Sequence, residues 1–239
     1  MARLPRLTVA GLPHLVLHRA APDVELFEAD DERRIYLAAL AQAAHDSAVG
    51  VHAYVLLDDR VMLLVTPRTA EGLGRFMQRT GRRHVIGVNA RRGRSGTLWD
   101  GRFRATVVDP DHDVLDCMCH VESQPVLQGM VAEAADWVWS SAAHHVGRQA
   151  NPLLTDPLAY WRLGNTPFAR EAAYRARLEV PLSAERSAQI DDAMTKGWAL
   201  GSEAFRERLA IAATRRVAPL RRGRPRTDAV SVPKISSEV

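Results

Sequence analysis

Apolar residues recur along this chain with two periods, and the switches between them outline a fold. Residues 13–19 (PHLVLHR) alternate in character, as a strand does. Asp30 opens a stretch to about Ser47 whose apolar positions Ile35, Leu37, Ala38, Leu40 and Ala44 have helical spacing. Residues 51–57 (VHAYVLL) and 61–65 (VMLLV) are apolar and β-branched, and Asp58-Asp59 between them is a turn signal, so 51–66 reads as a hairpin in the core of a sheet. Thr69 is placed to cap a second helix over about 70–90, with Leu73, Phe76 and Met77 on its apolar side. Residues 98–108 (LWDGRFRATVV) read as a fourth strand with a bulge at Gly101. Asp109-Pro110 starts a third helix, which runs to about Ser123 and ends before Pro125.

The order strand, helix, strand, strand, helix, strand, helix is that of a ferredoxin-like split βαβ unit with one more helix. The expected class is α+β, with helices on one face of an antiparallel sheet and the other face or an edge left for a partner. From residue 126 the texture changes. Trp137, Trp139, Trp161 and Trp198 with short polar links suggest a loop-rich segment packed on the first domain, and helical patterns follow at about 167–179, 183–195 and 202–214. The expected organisation is a ferredoxin-like domain over 1–130, a helical extension over 131–214 and a basic tail over 215–239 that lacks the apolar content to order itself. No internal repeat is present.

Composition narrows the classes without choosing among them. At 239 residues, 46% hydrophobic and 25% charged, the chain can bury an ample core. Cys117 and Cys119 stand two apart, a poor spacing for a disulfide, and read as reduced thiols of a cytoplasmic protein. The first residues lack the apolar run of a signal peptide, and no window has the length of a membrane span, so no membrane partner is expected. The net charge of +4 (pI about 9.5) is modest, but arginine carries nearly all the positive charge, and it is clustered.

Two clusters point to nucleic acid. Arg79, Arg82 and Arg83 share one helix face, Arg91, Arg92 and Arg94 follow, then Arg102 and Arg104, and no acid occurs between Glu71 and Asp100 to pair with them. The tail carries Arg221-Arg222-Gly223-Arg224-Pro225-Arg226. Gly and Pro there keep an Arg-Gly-Arg-Pro core extended, so that Arg222, Arg224 and Arg226 suit a narrow A·T minor groove in the manner of an AT-hook. No Gly-rich phosphate loop and no nucleophile elbow is present.

Several stretches resemble one family. Residues 95–103 (SGTLWDGRF) resemble the "TGxLWxGRF" stretch of REP-associated tyrosine transposases, a branch of the single-tyrosine HUH transposases of the IS200-like type. The opening MARLPRL…GLPHLVLHR resembles that family's first strand, and residues 121–129 (VESQPVLQG) its "YxxxNPVRAG" helix end. Residues 137–141 (WVWSS) resemble its "WxWSS" element, and 197–202 with the Arg-Gly-Arg-Pro tail its C-terminal region. The resemblance implies a ferredoxin-like domain that binds single-stranded or hairpin DNA, often as a homodimer. It also implies cleavage by one tyrosine, helped by a divalent metal on a His-hydrophobic-His pair.

The catalytic positions depart from that pattern. Where the family has "PNHVHL", this chain has Asp59-Arg60-Val61-Met62-Leu63, which replaces both histidines by Arg60 and Met62. Arginine stays protonated and cannot ligate a cation, and a thioether matches magnesium poorly. His120 stands where the family has its tyrosine, and Gln124 follows at a position that adds a metal ligand in some relatives. Adjacent His144 and His145 are expected to diverge, and no other set has ligand spacing, so no catalytic residue, metal site or cofactor is assigned. The expectation is a nucleoid-associated protein of transposase ancestry that binds hairpin or repetitive palindromic DNA without cutting it, with Arg60 a candidate for the phosphate contact once made by metal. The rivals are a nuclease using His120, Tyr54 or Tyr160, of which Tyr54 reads as core and Tyr160 as packing, and a protein-interaction module that no longer binds DNA.

Overall fold

The computed structural model describes residues 6–213 and 215–219. Four strands, β1 (His14–Arg19), β2 (Val49–Leu56), β3 (Arg60–Pro67) and β4 (Arg104–Val107), form one antiparallel sheet in the order β2-β3-β1-β4. With α1 (Asp30–Ser47) between β1 and β2, and α2 (Gly72–Arg92) between β3 and β4, this is the ferredoxin-like arrangement expected from the sequence. α1 begins without a side-chain cap, but Asp30, Asp31 and Glu32 fill its first turn, where the helix dipole favours negative charge.

Local boundaries shift in three places. Thr69 does not cap α2. Its carbonyl takes the Gly72 amide in a preceding turn, and the helix starts at Gly72. The fourth strand is interrupted: Leu17 faces Arg104 and Ala20 faces Trp99, so residues 100–103 stand opposite only 18 and 19. Gly101, at φ +66°, takes the left-handed conformation that this bulge requires. The helix expected from Asp109 begins five residues later, as α3 (Val114–Glu122), after a turn in which the Asp109 carboxylate accepts the Asp111 amide. Pro125 does not stop the chain turning, because it sits in the first turn of a new short helix, α4 (Gln124–Leu127), where its missing N–H is harmless.

The largest difference concerns the second face of the sheet. α1 and α2 cover one face, burying Val16, Tyr54, Leu56, Val61, Leu63 and Val65 with Tyr36, Leu40 and Phe76. The other face is not left for a partner. Leu15, Leu17, Ala53, Val55, Met62 and Leu64 pack under α3 and α8 (Ala184–Lys196), and α7 (Pro167–Glu179) packs on α3 in the same apolar layer. The physical reason lies in the strands, which are apolar at successive positions and would expose a sheet face of leucine and valine to water if only one side were covered. Between α4 and α7 lie the short helices α5 (Ala142–His145) and α6 (Leu158–Trp161), and α9 (Glu203–Ala212) closes the described helices. Thr166, Ser183 and Ser202 cap α7, α8 and α9 by accepting the amides of Ala169, Arg186 and Phe205.

Both sheet edges carry C-terminal segments. At β2, Leu56 N–H donates to Trp139 O at 2.9 Å, Trp137 Nε1 donates to Leu56 O at 3.1 Å, and Thr155 N–H donates to Val51 O at 2.7 Å. At β4, Leu200 N–H donates to Val107 O at 2.8 Å. Trp139 is therefore packed on the first domain, whereas Trp161 is half exposed under the Arg170 guanidinium.

Candidate nucleic-acid interface

The basic face of α2 follows from its apolar one. Phe76, Met77, Thr80, His84 and Val88 turn inward, which leaves Arg79, Arg82 and Arg83 outward on the opposite side. Arg82, Arg83, Arg91 and Arg102 are exposed and make no ion pair among the described residues. The others have intramolecular partners. Arg79 pairs with Asp46 of α1 at 2.6 Å, Arg94 donates to Thr97 O at 3.4 Å and Arg104 donates to Thr195 O at 2.7 Å. Arg92 is a clamp. It pairs with Glu32 and with Glu28, the latter at 2.8 Å, and donates to Glu25 O at 2.9 Å. Despite the absence of acids between residues 71 and 100, Arg79 and Arg92 are ion-paired, because α1 and the segment before it supply the carboxylates.

The loop after α2 is built on aromatic packing. Gly93, at φ +60°, ends the helix, and residues 98–100 return along the extension of β1, with Ala21 N–H donating to Leu98 O and Asp100 N–H to Arg19 O. Trp99 stacks on His18, with ring centroids 3.7 Å apart and planes within 8°. Arg6 lies 3.7 Å above the Phe103 ring. Arg102 projects from the bulge between these anchors.

A second group gathers where β3 meets α3. Arg60 and Met62 stand on one side of β3, facing Arg19 and Leu17 across the ladder to β1. Met62 is 1% exposed and lies within the apolar layer under α3. Arg60 is bound by its neighbour, with Nε 3.0 Å from both oxygens of Asp59. His120, 2% exposed, meets Asp191 of α8 at 3.1 Å through Nε2, and Gln124 donates back to His120 O at 3.0 Å. The His120 contact holds the Asp191 carboxyl below its ordinary range against the opposing effect of burial, and the charges of Arg60 and Arg19 act in the same direction. The fold therefore gathers the four positions singled out in the sequence. As a donor set they do not fit a divalent cation: a guanidinium, a buried thioether and a ring nitrogen engaged with Asp191 offer no two ligands on one side.

Other residues weighed in the sequence have structural employment. The Tyr54 hydroxyl accepts from Asn151 at 2.9 Å and the Tyr160 hydroxyl donates to His145 O at 2.9 Å, and burial pushes both phenols up to about 12. His52 is satisfied by Thr155 O and Thr66 Oγ1. Cys117 and Cys119 are free and buried. Among the described residues no helix is long and apolar enough to cross a membrane. Arg222, Arg224 and Arg226 of the AT-hook-like tail lie outside the described residues.

Sequence reasoning missed Asp191 and Glu122. Asp191 is one of two adjacent acids on a polar helix, and nothing local announces that α8 docks there. Glu122 had a signal: it is a carboxylate directly after the buried Val121 at the end of α3, and it is completely buried.

No protein-family model matches the chain, and no curated protein matches it in sequence. Among solved structures, a REP-associated tyrosine transposase bound to a REP hairpin superposes with a TM-score of 0.54 at 16% identity, over 64% of this chain and 90% of that one. The fold is that of a REP-associated tyrosine transposase. A transposase candidate from Deinococcus radiodurans R1 aligns over 54% of this chain and 98% of its own at 15% identity, but its TM-score of 0.36 is too low to inform the fold. The transposase-like fold accounts for the convergence of Arg60, Met62, His120 and Gln124 from distant parts of the sequence, because β3 and α3 are neighbours in it.

Proposed function

We propose that the protein binds hairpin or single-stranded DNA without cutting it. The observation that carries this reading is the pairing of an intact transposase-like fold with a cleft whose positions are chemically filled. Met62 is packed into the core, Arg60 is held by Asp59, and His120 is held by Asp191. The solved neighbour, which holds a REP hairpin, makes the DNA class concrete. Arg82, Arg83, Arg91 and Arg102 supply the unpaired positive charge that phosphates would take up. The AT-hook-like tail is proposed to add flanking duplex contact, raising affinity through effective concentration.

The deciding experiment titrates a labelled hairpin carrying a single-stranded flank, at two salt concentrations with magnesium or manganese, and runs the products on a denaturing gel. Salt-sensitive binding with no covalent adduct is expected. In the Arg82→Ala/Arg83→Ala variant the slope of log K against log salt should fall by roughly 0.9 for each duplex phosphate that the variant no longer neutralises. An adduct would return the protein to the nucleases, and no binding to any DNA would move it to the protein-interaction modules.

The cleft supports a finer reading. Arg19 and Arg60 stand directly opposite each other on β1 and β3. Like charges so placed repel; Asp59 and Asp191 offset part of that repulsion, and a further anion at the pair would offset more. A DNA phosphate at Arg60 would do so where a metal acts in the family resembled. Arg60→Ala should then weaken hairpin binding by about 1–3 kcal/mol, the range for hydrogen bonds to charged groups. Unchanged affinity in the same titration would remove Arg60 from the interface.

A further inference from the structure

A second cluster, on elements apart from Arg60 and Met62, has the geometry of a metal site. α5 is a single helical turn, so consecutive residues on it differ by about 100° rather than the 180° of a strand. His144 and His145 therefore do not diverge as their adjacency suggested. Both reach Asp156, which arrives on the segment that pairs with the β2 edge. His144 Nε2 lies 3.3 Å and His145 Nε2 3.7 Å from the same oxygen, Asp156 Oδ1. Ligand atoms of the three residues all lie within 4.8 Å of one another.

The surroundings of His145 set its tautomer. The ring is completely buried, and its Nδ1 lies 2.6 Å from Glu122 Oε1. Glu122 also accepts the Ser141 hydroxyl and, at 2.7 Å, the Tyr174 hydroxyl. Every contact that this carboxylate makes is with a donor, so Nδ1 carries the proton and Nε2 presents a lone pair. That Nε2 is buried, has no hydrogen-bond partner and faces the Asp156 carboxylate. Two acceptors facing each other at 3.7 Å repel, and a cation between them converts the repulsion into coordination. A histidine whose far nitrogen donates to a carboxylate is the usual outer-shell arrangement of protein zinc ligands.

We propose that His144, His145 and Asp156 bind a divalent transition-metal ion of the zinc class, with Glu122 orienting His145 from the outer shell. Two imidazoles and one carboxylate favour zinc over magnesium or calcium. Bonds of about 2.0–2.1 Å in a tetrahedral site set ligands roughly 3.3 Å apart, so the observed triangle has only to tighten. Asp156 and His144 are partly exposed, which leaves the fourth position to water. His144 has to change tautomer. Its Nδ1 accepts the Asn151 amide at 3.1 Å, which places the proton on Nε2. Coordination moves that proton to Nδ1 and releases the Asn151 amide, so the 147–152 segment shifts when the ion binds. The role is structural: the ion ties α5 to the strand-edge segment, where Thr155 O also meets His52 at 2.6 Å.

The test uses the untagged full chain, stripped with chelator and titrated with Co²⁺ and then Zn²⁺ near neutral pH. One Co²⁺ per chain is expected, with the visible absorption of a four-coordinate ion, displaced by Zn²⁺, together with a rise in thermal midpoint. His144→Ala and Asp156→Asn, whose side chains are partly exposed, should keep the circular dichroism of the parent and lose the cobalt band. Glu122→Gln should weaken binding by about 10–100-fold. Absence of stoichiometric binding would overturn the proposal in favour of an imidazolium at His145 bridging Glu122 and Asp156. Variants that bind as tightly as the parent would overturn it too, because the ion would then sit elsewhere. None of these readouts depends on DNA.

Discussion

Lowering the pH from 7 to about 4 should unfold this protein, through three histidines that function in neither proposed site. His14, His18 and His84 are buried in the first domain, and burial, the largest cause, lowers each imidazole to about 4. A backbone carbonyl opposes the shift in each case, Leu12 for His14, Gly101 for His18 and Leu26 for His84; Glu32 opposes it further at His84, while Arg92 reinforces it there and Arg6 and His84 reinforce it at His18. An unfolded imidazole takes its proton near pH 6.5, but these rings take theirs only near pH 4. Between those values the unfolded chain binds more protons than the folded one, so stability is complete above pH 6.5 and falls as the pH drops towards 4. Each ring contributes roughly 3 kcal/mol across that window, and because His84 acts on His18 the three contributions do not simply add. Domains of this size have net stabilities of about 5–15 kcal/mol. Urea midpoints measured from pH 7.5 to 4.5 should fall steeply below pH 6.5. In His84→Gln, which keeps a donor for Leu26 O, part of that dependence should vanish, including the share that His84 imposes on His18. A midpoint that stays level down to pH 4.5 would show that these rings are solvated or already paired in the folded state.

Replacing Glu122 by leucine should destabilise the fold by about 3–5 kcal/mol, although it exchanges a buried charge for an apolar side chain. Apolar replacement of a complete buried polar group is often tolerated, but this change removes only the acceptor. The Tyr174 hydroxyl and the His145 ring N–H would remain, both buried and deprived of this acceptor, while the Ser141 hydroxyl would be left with Tyr54 O at 3.3 Å. Unsatisfied buried donors cost about 1–3 kcal/mol each, and these groups sit on α5 with its N-cap and on α7, which Glu122 joins to α3. Glu122→Gln should cost less, because one oxygen still accepts and the Tyr174 hydroxyl can turn to accept from the new amide. Urea denaturation of both variants at pH 7.5 measures the difference. A loss below about 1 kcal/mol in Glu122→Leu would mean that water reaches the cluster and that α7 is not held through it. The result also bears on the metal proposal, since Glu122 fixes the tautomer of His145.

The arginines show where a reading of the sequence succeeds and where it stops. Periodicity on α2 correctly separates Arg79, Arg82 and Arg83 from Phe76, Met77 and His84, because a helix maps spacing onto direction. Spacing carries no information about Glu32, sixty positions earlier, which takes Arg92. The same limit explains His144 and His145. Their neighbourhood depends on Asp156 and on the single turn of α5, neither of which has a period to detect. It also explains the sheet's second face, which the sequence reading left for a partner and which the chain's own helices cover.

Local physics thus located the four strands, the longer helices, the ferredoxin-like order and the bulge at Gly101, but not the starts of α2 and α3 or the short helices α4, α5 and α6, because only the former are encoded by spacing, turn chemistry or a residue's permitted backbone angles. Motif resemblance pointed to Arg60, Met62, His120 and Gln124 as one group, and the adjacency of β3 and α3 brought them together. Only the tertiary structure decided that Asp191 holds His120, that Glu122 gathers three donors, that α3 and α8 cover the sheet's second face, and which arginines make no ion pair among the described residues. Those are contacts between residues far apart in the chain, fixed by how buried charge and apolar surface are shared among whole elements.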